Sequence, residues 1–339
     1  MKAVVLDAVN KIALKEIEPD KLQANEVLIK VEAAGVCGSD RHILHGTYPA
    51  NYPVVLGHEF SGIIENAGNS NKFQSGERVN VNPNIACNKC RPCKTGLINL
   101  CQNNIAHGVN RNGGLAEFVA VPESQLFKLP INLPAEYGVF CEPIACCIQG
   151  IDLANIKAGD SVAIIGGGVI GQLMVQLVKN AGAKVVLLST RQKFRRDMAE
   201  QMGATHTLDP LSSSSNDPFI GPTGVCPGGF DVVLECAGTS QSLQQSLEIV
   251  RLGGTVILFG VMPQSEIFEI RPFDIFVRQI RLQGSFTGSA VHQKAVDLVA
   301  ADKLNLLPLV THLVELAEIP ALLADKPLVG EVKTIAKPV

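Results

Sequence analysis

The 339-residue chain has no tryptophan, only three tyrosines, and an aromatic content of 5%. A platform that stacks the bases of single-stranded nucleic acid has little to be built from here. Charge of one sign is also missing. The formal net charge is -3, so no basic field argues for duplex nucleic acid or an anionic membrane. Long unbroken hydrophobic runs are absent too. The most apolar later stretch, 161–178, is interrupted by three consecutive glycines, Gln172 and Gln176, and parses as strand, turn and helix rather than a membrane span. The opening MKAVVLDAVNKIALKE lacks the apolar core of a secretory signal and reads as a first strand. Hydrophobic residues make up 46% and charged residues 18%, which suits a packed globular protein rather than a disordered one. At this length about two domains are expected. The expected setting is the cytoplasm, in soluble form.

Cysteine is plentiful by contrast, with ten residues. Without a secretory signal this points to a reducing compartment and metal ligation rather than a disulfide framework. Four of the ten, Cys87, Cys90, Cys93 and Cys101, form a C-x2-C-x2-C-x7-C cluster. That spacing suits a closed tetrahedral four-thiolate zinc site, whose work is structural. A nucleic-acid zinc ribbon is the rival reading, but it pairs two separate C-x2-C knuckles, whereas three of these cysteines share one stretch. Cys141, Cys146, Cys147, Cys226 and Cys236 read as small core residues. His45, His107, His206, His292 and His312 have no motif partner and read as structural.

A second set of ligand types lies outside the cluster. Cys37 follows the strand-like IKVEAAG, His58 and Glu59 follow PVVL, and Glu142 precedes a helix-like segment. Catalytic zinc needs three protein ligands and one open position, and a thiolate, an imidazole and a carboxylate meet that need. Each residue has an ordinary structural explanation when taken alone. The joint arrangement, with Ser39, Asp40 and His42 just after Cys37, is what favours chemistry. Alcohol oxidation must release the hydroxyl proton. A Lewis acid eases that loss, and Ser39 and His42 are suitable relay groups. Glu59 has three possible roles: direct ligand, exchange partner of Glu142, or support from behind the ligands.

Gly166, Gly168 and Gly171 spell G-x-G-x-x-G directly after the apolar SVAII and at the start of a helix-like run, with Gly182 at its expected end. In a dinucleotide site these glycines permit the turn, the approach to pyrophosphate and the contact of helix with strand. The backbone N–H groups around Val169 and Ile170 would then face the diphosphate. The next strand-like run, KVVLL, ends in Ser189, Thr190 and Arg191, where an NAD site usually carries an acid. A hydroxyl and a guanidinium instead suit a 2'-phosphate, with Arg195 and Arg196 following, so NADP(H) is favoured over NAD(H).

Along the chain, residues 1–142 alternate short β-rich runs with turns and carry the cysteine lobe 87–101. Residues 143–285 alternate strand-like and helix-like runs in the rhythm of a parallel sheet. The segment 286–339 holds one helix pattern, 291–301, and a final strand-like run, 332–336, and is expected to return to the first domain. Residues 212–229 read as a turn-rich loop.

GVCGSDRH, PVVLGHEFSG, the four-cysteine lobe, GGLAEF, CEP, GGGVIG and ECAG occur in one order. In this the chain resembles the zinc-dependent medium-chain dehydrogenase/reductase family, most of all its sorbitol (polyol) and threonine dehydrogenase-like branches. The resemblance implies an α/β architecture: a GroES-like catalytic domain, a Rossmann doubly wound cofactor domain and an active site in the cleft between them. It implies two Zn2+ per chain, the catalytic one held by Cys37, His58 and either Glu59 or Glu142, with Ser39 and His42 as the proton relay. It places Cys236, Ala237, Gly260 and Val261 on the nicotinamide side, with Ser285 of the GSF turn among the cofactor residues. The substrate would be a secondary alcohol or ketone, first a polyol, sugar alcohol or sugar acid, then a simple secondary alcohol or 3-hydroxy acid, and the assembly a homodimer or homotetramer. Thr190-Arg191 resembles NADP-linked ketose reductase variants. Where sorbitol dehydrogenases tend to carry Arg-Tyr after the G-x-F turn, GSF is followed by Thr287 and Gly288. A non-catalytic NADP(H) sensor and a zinc-independent reductase of the same fold are the rivals.

Overall fold

The computed structural model describes residues 1–212, 216–325 and 327–338. The chain forms two compact units. One comprises Met1–Ala145 with Gly288–Val339, and the other Cys146–Thr287. The divisions fall at 145/146 and 287/288, against the 142/143 and 285/286 expected from composition.

The first unit is built on a seven-stranded sheet. Its central strand, Glu26–Gly35, buries Val27, Ile29, Val31 and Ala33 in alternation with partly exposed Leu28, Lys30 and Glu32, the period-two pattern of a half-covered strand. Glu59–Asn66 and Phe118–Pro122 pair with it antiparallel. So does Lys333–Lys337, through Ile335 opposite Gly35. The chain's last strand therefore lies beside the strand that delivers Cys37. A second strand of the C-terminal segment, Val310–Glu315, pairs parallel with Lys333–Lys337. Sequence reading of this segment missed that strand and the helix Ile319–Ala324, because VTHLVE and IPALLA are too short for a clear periodicity. The cysteine lobe leaves the body after Asn84–Ile85 and returns at Ile105–Ala106, and these two segments pair with each other.

The second unit holds a six-stranded, wholly parallel sheet. The spatial order is His206–Leu208, Val185–Ser189, Ser161–Ile165, Phe230–Glu235, Val250–Leu258, Arg281–Gly284. Numbered within the unit, that order is 3-2-1-4-5-6, the doubly wound dinucleotide arrangement, with its reversal beside Ser161–Ile165. All five residues of that strand are buried, as expected where helices cover both faces. The helix Val169–Asn180 follows at once and buries Leu173, Met174, Val175, Leu177 and Val178. Gly182, at φ +89°, ends it in the left-handed conformation that glycine adopts most easily. The stretch read as a turn-rich loop, 212–229, contains a short helix, Asp217–Ile220, and its residues 213–215 lie outside those described. Among the described residues no helix is long and apolar enough to cross a membrane.

Candidate active site

Cys37 lies between the end of the central strand and the helix Gly38–Leu44, and His58 and Glu59 stand at the start of the neighbouring strand. This register brings one ligand atom each from Cys37, His58 and Glu59 within 4.8 Å of one another. The groups around them fix their orientation. Asp40 is fully buried; its Oδ2 accepts the Cys37 backbone N–H at 2.9 Å, and its Oδ1 lies 3.3 Å from His58 Nδ1 as an ion-pair contact rather than an aligned hydrogen bond. A carboxylate at Nδ1 leaves Nε2 to face the cluster, the usual way a metal-bound imidazole is oriented. The Ser39 hydroxyl sits between the two softer donors, 3.1 Å from Cys37 Sγ and 3.2 Å from His58 Nε2.

Burial works against a charged His58, but the Asp40 carboxylate and then Cys37 outweigh it and hold its pKa well above the ordinary imidazole value. Behind the cluster, the Lys333 ammonium makes an ion pair with Glu59 and donates to the Val36 carbonyl at 3.1 Å. Lys333 is 1% exposed and Glu59 2%. Burial alone would lower the lysine's pKa, yet Glu59, then Cys37, raise it above the usual value. A soft thiolate, an oriented imidazole and a carboxylate backed by a fixed counter-charge fit a zinc ion with an open position.

Glu142, in the first turn of the helix Cys141–Ala154, is not one of the three clustered ligands. His42 Nδ1 lies 3.0 Å from Thr47 Oγ1.

The lobe brings the sulfurs of Cys87, Cys90, Cys93 and Cys101 together, with Cys90 Sγ 3.4 Å from Cys93 Sγ and 3.9 Å from Cys101 Sγ. Backbone N–H groups of Lys89 and Cys90 point at Cys87 Sγ at 3.5 and 3.4 Å and bring its pKa down to about 6. Burial, then the Cys90 thiol, pushes Cys93 up to about 12. Four sulfurs this close cannot all ionise without a cation among them, which is the signature of a closed thiolate metal site. All ten cysteines are free of disulfides.

In the second unit a cavity of about 1030 Å3 opens at the carboxyl ends of the strands. Its lining includes Gly166, Gly168, Ser189, Thr190, Arg191, Arg195, Cys236 and Ala237. Gly166 has φ +115°, and a side chain there would strike the Ala237 backbone; one at Gly171 would lie 1.9 Å from the Gly166 carbonyl. The loop is therefore folded tightly over its own helix, as a diphosphate cradle requires. Among the described residues Glu248 is the one carboxylate of the lining, and it accepts from Asn216 Nδ2 and Gln244 Nε2. Arg196 is turned elsewhere: its guanidinium donates to Asp209 at 3.1 Å and to the Thr190 carbonyl at 2.5 Å.

Residues 23–131 match the alcohol dehydrogenase GroES-like domain, and residues 169–301 match the zinc-binding dehydrogenase domain. D-arabinitol dehydrogenase 1 of Uromyces fabae is 31% identical over 94% of this chain and 91% of its own. A probable D-xylulose reductase A of Aspergillus fumigatus is 33% identical over 92% of this chain and 89% of its own. The crystal structure of a putative zinc-binding dehydrogenase from Sinorhizobium meliloti 1021, bound to NADP, superposes with a TM-score of 0.97 at 46% identity, covering 99% of both chains. The chain belongs to the zinc-dependent medium-chain dehydrogenase/reductase family. It is an oxidoreductase of the NAD(P)-linked alcohol dehydrogenase class, with a GroES-like unit and a Rossmann unit.

The remaining cofactor candidates of this dehydrogenase are not among the residues that line the cavity. Val169, Ile170 and Gly171 form the first turn of the helix behind the loop. Gly260 is backed against Gly238, whose own near neighbour is Val261, and Ser285 donates its backbone N–H to Leu258 at 3.0 Å. Sequence reading missed Lys333, Asp40 as the His58 partner, and the polar wall of Thr239, Gln241, Gln244 and Gln245 that lines the cavity. The i, i+3, i+4 spacing in SQSLQQSLEI places part of that wall on one helix face. No motif marks Lys333.

Proposed function

We propose that this chain is an NADP(H)-dependent dehydrogenase of polyols, sugar alcohols or sugar acids that holds two zinc ions. The cluster of Cys37, His58 and Glu59 carries the reading. These residues would hold the catalytic ion, Glu142 would serve as the alternative carboxylate, and the four lobe cysteines would hold a structural ion. Bound zinc supplies Lewis acidity toward the substrate oxygen. The chain's own groups do the rest. Asp40 orients the imidazole, and Lys333 balances the Glu59 carboxylate. The Ser39 hydroxyl, beside Cys37 and His58, takes the hydroxyl proton and passes it toward His42 at the next turn of the same helix.

Thr190, Arg191 and Arg195 support NADP(H), since Thr190 and Arg191 stand at the strand end where an NAD site carries an acid. The substrate class rests on the sugar-alcohol names of the relatives. The Thr287-Gly288 pair counts against sorbitol itself, and a simple secondary alcohol or a 3-hydroxy acid is the second choice. A homo-oligomer is supported by exposed Ile267, Phe273 and Phe276 shortly before the edge strand Arg281–Gly284. A cytoplasmic setting is supported by the free cysteines.

The test is a panel of polyols, sugar acids and secondary alcohols with each cofactor, read as nicotinamide absorbance alongside zinc content. About two zinc ions per chain and polyol turnover with NADP fit the proposal. About one zinc and cofactor binding without turnover would fit the sensor instead.

A further inference from the structure

The helix Lys193–Gln201 carries Arg195 to the cavity. Its N-cap residue, Gln192, makes no side-chain cap bond, and its first turn holds no acid. Lys193, Arg195 and Arg196 crowd the end where a helix is already positive. Within that turn Lys193 is offset by Asp197 at 2.8 Å, and Arg196 by Asp209 at 3.1 Å and by the Thr190 carbonyl.

A side chain from another helix holds it. Gln172 is fully buried within Val169–Asn180, where an apolar residue would pack without cost. Its Nε2 donates to the Arg195 carbonyl at 2.8 Å and to the Gly167 carbonyl at 3.3 Å. Two carbonyls facing one nitrogen fix the amide's orientation. Its Oε1 then meets no donor among the described residues, a costly arrangement for a buried acceptor. Gly167 itself backs onto Thr190, since a side chain there would lie 2.7 Å from the threonine methyl. The amide thus links the diphosphate loop to the first turn of the arginine helix, beside the bond that Arg196 makes to the Thr190 carbonyl.

We propose that Gln172 is a positioning residue for cofactor choice, tying the helix that bears Arg195 to the glycine loop and so fixing where Arg195 lines the cavity that would take a 2'-phosphate. The inference rests on the NADP(H) reading above. Gln172 is fully buried and acts through Arg195. Both carbonyls it binds are main-chain groups, so removing the amide leaves no buried charge behind and also removes the orphaned Oε1.

The experiment titrates NADPH and NADH against the intact protein by nucleotide fluorescence. It uses wild type, Gln172→Met, Arg195→Ala and the double variant, with Gln172→Leu in parallel so that the result does not depend on one side chain's packing. Gln172→Met is expected to raise the Kd for NADPH about tenfold and leave NADH within about twofold, with thermal stability nearly unchanged. In the Arg195→Ala background the same substitution is expected to change NADPH by less than about twofold, because the partner it acts through is gone. Equal losses for both cofactors, or full additivity in the double variant, would reduce Gln172 to a packing residue and overturn the inference. If Arg195→Ala itself weakens NADPH and NADH alike, the cofactor reading fails, and this inference with it. If Arg195→Ala is selective and Gln172→Met is not, only this inference fails.

Discussion

The two metal-ligand clusters of the first unit use the same thiol chemistry in opposite ways. The lobe draws all four sulfurs from residues 87–101, and its supporting hydrogen bonds are backbone N–H groups of the same short segment. The other cluster takes its donors from two neighbouring strand ends. Its support is side-chain charge: Asp40 behind His58 and Lys333 behind Glu59. A local, all-sulfur site closes on itself and is suited to holding a loop together. A site assembled from distant segments, with one hydroxyl between its donors, would leave a bound ion a position open. The difference teaches that ligand type matters less than what stands behind each ligand.

The largest expected effect is on turnover. Cys37→Ser should lower kcat more than about a thousandfold, with fluorescence titration still giving wild-type cofactor affinity. Cys93→Ser should do the reverse in kind: one zinc lost, the lobe loosened and Tm reduced, while the zinc at Cys37 remains. A Cys37→Ser protein with full activity would erase the distinction between the clusters.

Next in size is the counter-charge. Lys333→Met leaves a buried carboxylate without its ammonium and should cost about 3–5 kcal/mol in urea unfolding. Glu59→Gln combined with Lys333→Met should recover much of that loss. No loss in the single variant would mean that Glu59 finds its cation elsewhere. Glu59→Gln should also lower zinc content more than Glu142→Gln does, and the reverse order would transfer the ligand role to Glu142.

Cofactor selection is smaller. Arg191→Ala should weaken NADPH about tenfold or more and spare NADH, and equal losses would return the preference to NAD(H).

A separate effect is on acid stability, through two histidines that take no part in either cluster. Burial brings the pKa of His107 down to about 4 and that of His292 to about 3, from an ordinary 6.5. Each stays neutral in the folded chain at a pH where the unfolded chain already binds its proton. Stability is therefore complete above about pH 6.5 and is lost as pH falls toward 4 and 3. His292→Asn should flatten the decline in urea midpoint between pH 6.5 and 4, and an unchanged slope would contradict this.

How far these features were legible depends on the distance along the chain over which each is formed. The lobe was readable because its ligands lie within one segment and their spacing is their geometry. The glycine loop was readable because strand, turn and helix follow one another without a break. The choice between Glu59 and Glu142 was not, since it depends on where two backbones run. Lys333 was invisible: KTIAK reads as an ordinary strand, and only antiparallel pairing with Glu26–Gly35 carries its ammonium to Glu59, 274 positions earlier. Arg195 and Arg196 were indistinguishable as a basic run, and helix phase separates them, one toward the cavity and one toward Asp209.

The most direct measurement is an anomalous difference map recorded at the zinc edge from crystals of the native protein. The account predicts two peaks per chain, one amid Cys87, Cys90, Cys93 and Cys101, and one about 2.3 Å from Cys37 Sγ and about 2.0 Å from His58 Nε2. A single peak in the lobe, with Cys37 and His58 binding nothing, would contradict it.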